Sequence, residues 1–119
     1  MPYGVAISGL GTDVPERRLT NDDLSQMVET NDDWIVTRTG IRERRVVNPD
    51  EGTSHLATRA AREAIEHAGI APGDLDLIIV ATSTPDLAFP PTACLVQSRL
   101  GAKRANAFDV NAVCSGFLN

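Results

Sequence analysis

The chain has 119 residues, the size of one ordinary domain, and is long enough to bury a hydrophobic core. It contains 11 Lys and Arg against 16 Asp and Glu, which gives a net charge of -5. Because nucleic-acid-binding surfaces normally carry a basic face, this balance argues against a nucleic-acid partner. The composition, 42% apolar and 23% charged, is typical of globular proteins and excludes disorder as the main state.

The sequence also bears on the compartment of the protein. No segment approaches the ~18 apolar residues that a membrane span needs, so we expect no transmembrane helix and no membrane partner. The N-terminus has no basic residue before Arg17 and lacks the apolar core of a signal peptide. We therefore expect a cytoplasmic protein, in which Cys94 and Cys114 stay reduced.

The first part of the chain is predicted to alternate strands and short helices. Residues 5–10 are apolar and small before a turn, which predicts a first strand. Residues 21–28 form a short helix capped by Thr20. A second short helix carries Trp34, Ile35 and Arg38 and ends at Gly40, and residues 41–47 then alternate as an edge strand.

The second part predicts layered α/β structure. A long helix capped by Thr53 or Ser54 ends at Gly69, and the run 75–81, apolar except for Asp76, predicts a central strand covered on both faces. A helix over 92–100 stops at Gly101, and residues 105–110 form another strand. This order of elements is typical of βαβ units in an α/β fold.

The end of the chain differs from a normal domain terminus. A new helix is predicted to start near Cys114, and the chain stops at Asn119 within its first or second turn. There is no linker, internal repeat or low-complexity segment. We therefore expect residues 1–119 to be a truncated part of a larger domain.

The position of Cys114 is typical of a nucleophile. It follows a predicted buried strand, is flanked by small residues and precedes a predicted helix, so a sharp turn would expose its thiol. The helix N-terminus would stabilise a thiolate and offer N–H groups to an oxyanion. The alternative is a buried small hydrophobe, as most free cysteines are. Cys94, on the apolar face of a helix, is predicted to be structural.

Three motifs resemble one known family. Residues 109–117 closely resemble the active-site motif of β-ketoacyl-acyl-carrier-protein synthase III, a condensing enzyme of the thiolase superfamily. Residues 31–44 are similar to its N-terminal signature, and residues 81–86 with 89–90 are similar to the loop before its nucleophile. The motifs span nearly the whole chain in the family's order. The resemblance implies an α/β, thiolase-like layered αβαβα fold, of which residues 1–119 are the N-terminal part of the first half.

The resemblance also implies a reaction and its residues. Cys114 would accept an acyl group from acyl-CoA, and malonyl-loaded acyl carrier protein would then attack this thioester in a decarboxylative Claisen condensation. Trp34 and Arg38, four residues apart on one helix face, would bind CoA by stacking and cation–π contact. Phe89 would reach across a homodimer interface to close the partner's acyl pocket. No cofactor is implied, because acyl-CoA is a substrate.

Each of these residues also has a simpler interpretation, in which it binds no ligand or partner. Trp34 and Arg38 could be a core-edge tryptophan and a solvated arginine, and Phe89 a loop anchor that packs locally. The arginines at 42, 44 and 45 could attract CoA phosphates or an acidic carrier protein, although such charge runs are usually only solvated.

Some parts of the family's site do not appear. The histidine and asparagine that complete it lie downstream of the nucleophile, and neither His55 nor His67 matches a catalytic motif. Asn111 and Asn119 match no catalytic asparagine. The cysteines and histidines fit no zinc pattern, and no glycine-rich phosphate loop is present. The chain alone is therefore not expected to condense anything.

Two other functions remain open at this point. A starter-unit acyltransferase or ketosynthase of a polyketide pathway would keep the cysteine but change the acyl acceptor. A non-catalytic partner would keep the fold and bind CoA or a carrier protein without turnover. Acyl chain length depends on residues mostly beyond this chain.

Overall fold

The computed structural model describes residues 4–118; residues 1–3 and Asn119 lie outside the described part. Two compact units are present. Val14–Asp50 forms the smaller one, and residues 4–13 together with 51–118 form the larger one. Within the described part, no helix combines the length and the apolar character needed to cross a membrane.

The smaller unit consists of two short strands and two short helices. Strand β1 (Arg18–Thr20) pairs antiparallel with β2 (Glu43–Arg45), and Arg18 lies opposite Arg45. Helix α1 (Asn21–Ser25) starts at the predicted cap, where the Thr20 side chain accepts a hydrogen bond from the Asp23 amide. The predicted extension of this helix to residue 28 is wrong, because residues 26–29 form turns.

Helix α2 (Asp32–Thr39) carries Trp34, Ile35 and Arg38 and ends at Gly40, as the sequence predicted. The Asn31 side chain accepts a hydrogen bond from the Trp34 amide at 2.8 Å and satisfies a donor of the first turn. At the other end, Gly40 adopts a left-handed conformation with φ 71°, which glycine enters without the Cβ penalty of other residues. Ile35 is the one residue of this helix that is buried.

The larger unit contains a βαβ arrangement. Its elements are α3 (Thr53–Ala68), β3 (Leu77–Ala81), α4 (Thr92–Leu100) and β4 (Asn106–Val110). Strands β3 and β4 pair in parallel, as predicted, and α4 packs against both. Val96 and Leu100 of α4 form the core of this unit with Ala102 and Ala105, and partly buried apolar residues of α3 and β3 surround it. Gly69 and Gly101 end the two helices, as expected.

Strand β3 is not covered on both faces by the described residues. Ile78 and Val80 face the core under α4, whereas Leu77 and Ile79 on the opposite face are 48% and 52% exposed. The prediction of a strand buried on both sides is therefore wrong for this part of the chain. Residues 77–81 are uniformly apolar, but among the described residues helices pack on one face only.

Residues 5–10 are not a strand in the described structure. Val5 and Ile7 are 99% and 83% exposed, and no strand of the described part pairs with this segment. The segment instead lies against α3, where a Cβ atom added to Gly9 or Gly11 would come within 3 Å of the helix backbone. The His67 ring nitrogen Nδ1 accepts a hydrogen bond from the Leu10 amide at 3.2 Å.

Candidate active site

Cys114 lies on a sharp turn directly after β4. Residues Val113–Ser115 form a single 3-10 turn, and Cys114 is exposed as a free thiol. Val113 has φ 49°, a left-handed conformation that is a genuine outlier for a β-branched residue and costs about 1–3 kcal/mol. The structure therefore shows the sharp turn and the exposed thiol that the sequence predicted, and it adds the strain at Val113. The helix predicted to follow is only one 3-10 turn within the described residues.

Neighbouring segments hold this turn in place. The Thr82 amide donates to the Val110 carbonyl at 3.0 Å and extends the pairing of the two strands. The Ser83 hydroxyl donates to Oδ1 of Asn111 at 2.9 Å. A Cβ atom on Gly116 would lie 3.0 Å from that of Ala81, which is tighter than ordinary packing. The loop after β3 thus supports the backbone that carries Cys114.

Asp109, in the same motif as Cys114, caps helix α4. Its carboxylate accepts hydrogen bonds from the Thr92 and Ala93 amides, each at 2.7 Å. Pro91, the residue that precedes the helix, provides no side-chain cap. Sequence reasoning missed this role, and the available signal was a carboxylate between the apolar residues Phe108 and Val110 of a predicted strand. The nucleophile strand and the helix after the Phe89 loop are therefore joined through Asp109.

Asp86 anchors the loop that carries Phe89 to the start of α3. Its carboxylate accepts hydrogen bonds from the Ser54 amide at 2.7 Å and from the Ser54 hydroxyl at 2.5 Å. The Ser54 hydroxyl also accepts a short hydrogen bond from Arg99. Burial alone would raise the pKa of Asp86, but the Ser54 hydrogen bonds and the nearby positive charge of Arg99 outweigh it. The pKa of Asp86 is therefore lowered from the ordinary value of 3.8.

Phe89 is 84% exposed at the tip of this loop, and neighbouring Leu87 is half exposed. The prediction that Phe89 lies on a loop is confirmed. Its exposure disfavours the alternative of a loop anchor that packs locally against the described residues. An aromatic side chain in this setting is available to a partner surface or a ligand.

Trp34 and Arg38 come together on α2, as their spacing predicted. The guanidinium carbon of Arg38 lies 4.5 Å from the centroid of the Trp34 ring, within the range of a cation–π contact. Trp34 is 52% exposed and is not part of the core, which disfavours the simple core-edge interpretation. An open cavity of about 430 Å³ lies beside it, lined also by Glu29, Thr30 and Asn31. This stack belongs to the smaller unit, whereas Cys114 and Phe89 belong to the larger one.

The two histidines and Cys94 make contacts within the fold. His55 accepts a hydrogen bond from the Gly52 amide at 3.0 Å at the start of α3, and His67 holds the N-terminal segment. Cys94 is half-buried, with its Sγ 3.8 Å from the Ala107 carbonyl oxygen. Among residues 4–118, no group of three or more His, Cys, Asp or Glu is arranged to hold a metal ion.

The arginine run after Gly40 is only partly solvated. Arg44 is half-buried and donates to Oδ1 of Asn21. Arg45 donates to the Pro15 carbonyl at 2.9 Å, while Glu43 pairs with Arg18. Part of this positive charge therefore serves the internal structure of the smaller unit.

Known proteins resemble nearly the whole chain. The β-ketoacyl-[acyl-carrier-protein] synthase III of Symbiobacterium thermophilum is 60% identical over 114 residues, which are 96% of this chain and 34% of the relative. The enzyme of the same name from Caldanaerobacter subterraneus subsp. tengcongensis is 57% identical over 112 residues, or 94% of this chain and 34% of the relative. No protein-family model matches the chain.

The solved structures agree. The 3-oxoacyl-[acyl-carrier-protein] synthase III from Aquifex aeolicus VF5 superimposes with a TM-score of 0.93 at 52% identity, covering 97% of this chain and 37% of that one. The chain corresponds to part of a β-ketoacyl-[acyl-carrier-protein] synthase III. A priming β-ketosynthase from the R1128 polyketide biosynthetic pathway also matches, with a TM-score of 0.89 and 39% identity over 93% of this chain and 33% of that one. The predicted thiolase-like α/β fold is thereby confirmed.

The chain spans about a third of the length of the synthase III relatives it matches. It therefore carries part of a synthase III, with Cys114, Phe89 and the Trp34–Arg38 stack all inside the matched part.

Proposed function

We propose that this chain supplies the acyl-accepting nucleophile and part of the CoA site of a full-length condensing enzyme that initiates fatty-acid synthesis. The observation that carries the proposal is the exposed Cys114 thiol on a strained turn after β4, in a chain of the synthase III family. Val113, the residue next to Cys114, has a strained backbone conformation. Such strain persists only where the surrounding structure holds it in place, and it is typical of functional sites.

The proposed reaction has two stages. First, the Cys114 thiolate attacks the acyl-CoA thioester carbonyl; a new C–S bond forms, the bond to the CoA sulfur breaks, and the CoA thiolate leaves and takes up a proton. Second, malonyl-carrier protein loses CO₂, and the resulting carbanion attacks the acyl-cysteine carbonyl. Cys114 thiolate leaves again, and a 3-oxoacyl-carrier protein is released.

The proposed roles of Trp34 and Arg38 rest on their stacked geometry. Arginine stacks its planar guanidinium on aromatic faces, and such a pair can extend the stack to a planar adenine. The half-exposed Trp34 ring and the open cavity beside it leave space for a nucleotide. We propose that this stack binds the adenine of acyl-CoA.

Other parts of the proposed enzyme depend on chains or residues outside this one. We propose that Phe89, exposed on its loop, contacts the acyl pocket of the second subunit in a homodimer. The acyl carrier protein is the proposed second partner, and the decarboxylating histidine and asparagine are expected downstream of Cys114. That the protein is cytoplasmic and needs no cofactor besides its acyl-CoA substrate stays a prediction.

The test is intact-protein mass spectrometry of the full-length protein after incubation with acetyl-CoA. We expect an adduct of one acetyl group on the wild type and none on Cys114→Ala, while Cys94→Ala, the matched control, keeps the adduct. Acetylation that persists in Cys114→Ala would refute the assignment. No adduct on a folded wild type, with several acyl-CoAs tried, would favour the non-catalytic binding partner.

A second candidate function is favoured by one comparison. Similarity to the priming β-ketosynthase of a polyketide pathway is compatible with a starter-unit synthase that uses the same cysteine. The two functions differ in the second substrate. We expect faster condensation with the malonyl-carrier protein of fatty-acid synthesis than with a polyketide carrier protein, and the reverse order of rates would support the starter-unit function.

A further inference from the structure

The side-chain amide of Asn21 is a buried hydrogen-bonding centre in the smaller unit. Only 1% of the residue is exposed. Its Nδ2 donates to Oδ1 of Asp32 at 2.7 Å and to the Ile41 carbonyl at 2.9 Å. Its Oδ1 accepts a hydrogen bond from Nη1 of Arg44 at 2.5 Å. Both donors of the amide and its oxygen are therefore in use.

These hydrogen bonds reach both ends of α2. Asp32 is the first residue of the helix, and Ile41 directly follows Gly40, the residue that ends it. The helix has eight residues and buries only Ile35, so it is too short to be stable alone and has little packing to fix its orientation. The Asn21 amide supplies the constraint that packing lacks, because it bonds to the chain on either side of the helix.

The same amide closes the loop that lines the cavity beside Trp34. Asn21 opens α1 and Asp32 opens α2, so their hydrogen bond closes the segment 21–32, which contains α1 and the loop that follows it. Glu29, Thr30 and Asn31 of that segment line the cavity. Asn31 is in turn tied to the Trp34 amide. The shape of the cavity and the placement of Trp34 therefore depend on the hydrogen bonds of Asn21.

We propose that Asn21 is a positioning residue for nucleotide binding at the Trp34–Arg38 stack. The proposal rests on the function proposed above, in which this stack binds the adenine of acyl-CoA. Asn21 itself contacts no substrate. It holds α2 and the preceding loop in the geometry in which the stack and its cavity accept a planar base.

The chemistry of the amide explains why asparagine is used. An aspartate of the same size would keep the pairing with Arg44, but it would place a carboxylate oxygen against the Asp32 carboxylate and the Ile41 carbonyl. Two acceptors would then face each other at each contact, which is repulsive. Asn21→Asp thus removes the two donor bonds at the ends of α2 with almost no change in volume. The double variant Asn21→Asp/Asp32→Asn restores one donor–acceptor pair.

The experiment measures KM and kcat of the full-length enzyme for acetyl-CoA and for malonyl-carrier protein, with thermal unfolding run in parallel. We expect Asn21→Asp to raise KM for acetyl-CoA about tenfold, since small displacements of binding groups have effects of this order. We expect kcat at saturation and KM for malonyl-carrier protein to stay within about twofold. The double variant should recover part of the loss, and Gln26→Ala, which removes an exposed amide, should match the wild type.

A milder variant covers the case in which Asn21→Asp does not fold. Asn21→Ser has one hydroxyl donor and can bond to Asp32 or Ile41 but not to both, so we expect an increase in KM for acetyl-CoA of about threefold. An equal rise in both KM values, or a fall in kcat alone, would show a general structural role and overturn the proposal.

Trp34→Ala separates this inference from the proposed function. If Trp34→Ala raises KM for acetyl-CoA and the Asn21 variants do not, the positioning role is refuted and the CoA site stands. If Trp34→Ala leaves this KM unchanged, the proposed CoA site is refuted and the role of Asn21 is refuted with it.

Discussion

Replacing Asp109 by alanine should expose how strongly the nucleophile strand depends on its contact with α4. The variant removes two hydrogen bonds, both 2.7 Å long, from a carboxylate to the Thr92 and Ala93 amides. Both of these residues are 0% exposed, so their N–H groups would be left without a partner in a buried position. A hydrogen bond to a charged group contributes about 1.5–3 kcal/mol, and a lost N-cap costs about 0.5–2 kcal/mol. Because these two hydrogen bonds are themselves the N-cap, the two figures are not added. Two such bonds give about 3–6 kcal/mol, and we expect a local destabilisation of about 3 kcal/mol, at the low end of this range, because water can enter the space left by the carboxylate.

Hydrogen exchange at the first amides of α4 measures this local loss of stability directly. At about 1.4 kcal/mol for each factor of ten, 3 kcal/mol corresponds to a roughly hundredfold loss of protection. Asp109→Asn keeps one acceptor oxygen and should lose about half of this free energy. Asp76→Ala, which removes an exposed carboxylate of the same unit, is the matched control and should change stability by less than about 0.5 kcal/mol. A loss of protection below tenfold in Asp109→Ala would refute the reasoning.

Three further predictions test other parts of the larger unit. Gly11→Ala should destabilise it by about 2 kcal/mol or more in urea unfolding, because the new Cβ would overlap the α3 backbone, while Gly73→Ala, which meets open space, should be neutral. Val113→Gly should relieve the backbone strain at this position and stabilise the fold by about 1 kcal/mol. It should also slow the acylation of Cys114, which mass spectrometry measures, and an unchanged rate of acylation would contradict a role for the strained turn. Because the pKa of Asp86 is lowered on folding, its stabilising effect is complete above the unfolded pKa and is lost as pH falls through the lower folded value. The stability deficit of Asp86→Asn should therefore be full at neutral pH and shrink below about pH 4, and a deficit independent of pH would contradict this.

The elements that the sequence predicted well are those determined by neighbouring residues. Helix α2 ends at Gly40, and α4 covers the predicted range before Gly101. The stack of Arg38 on Trp34 follows from a spacing of four residues on one helix. In each case a capping residue, a left-handed glycine or a helical period acts within one or two turns, so the local sequence contains the whole cause.

The predictions that failed depend on what packs against an element. Residues 5–10 have the composition of a strand, but a strand needs a hydrogen-bonding neighbour, and the segment instead lies on α3 through Gly9 and Gly11. The apolar run of β3 predicted burial on two faces, whereas helices of the described part cover one of them. Composition shows that a surface is apolar, but it does not show which partner covers it.

The polar contacts that shape the candidate site were the hardest to predict. Asp109 caps a helix that starts 17 residues earlier, and Asn21 bonds to residues 11, 20 and 23 positions away. No periodicity links such residues, because the fold brings them together only after the chain has turned back on itself. A usable signal exists for Asp109, namely a charged side chain between Phe108 and Val110 in a predicted strand, whereas Asn21 lies in the polar run 20–23 and offers none. Since buried polar groups must be paired, such a residue predicts a long-range partner even where the sequence does not identify it. The motif around Cys114 therefore combines two functions in adjacent residues: the cysteine is exposed for chemistry, and the aspartate five positions before it secures the strand from which that cysteine projects.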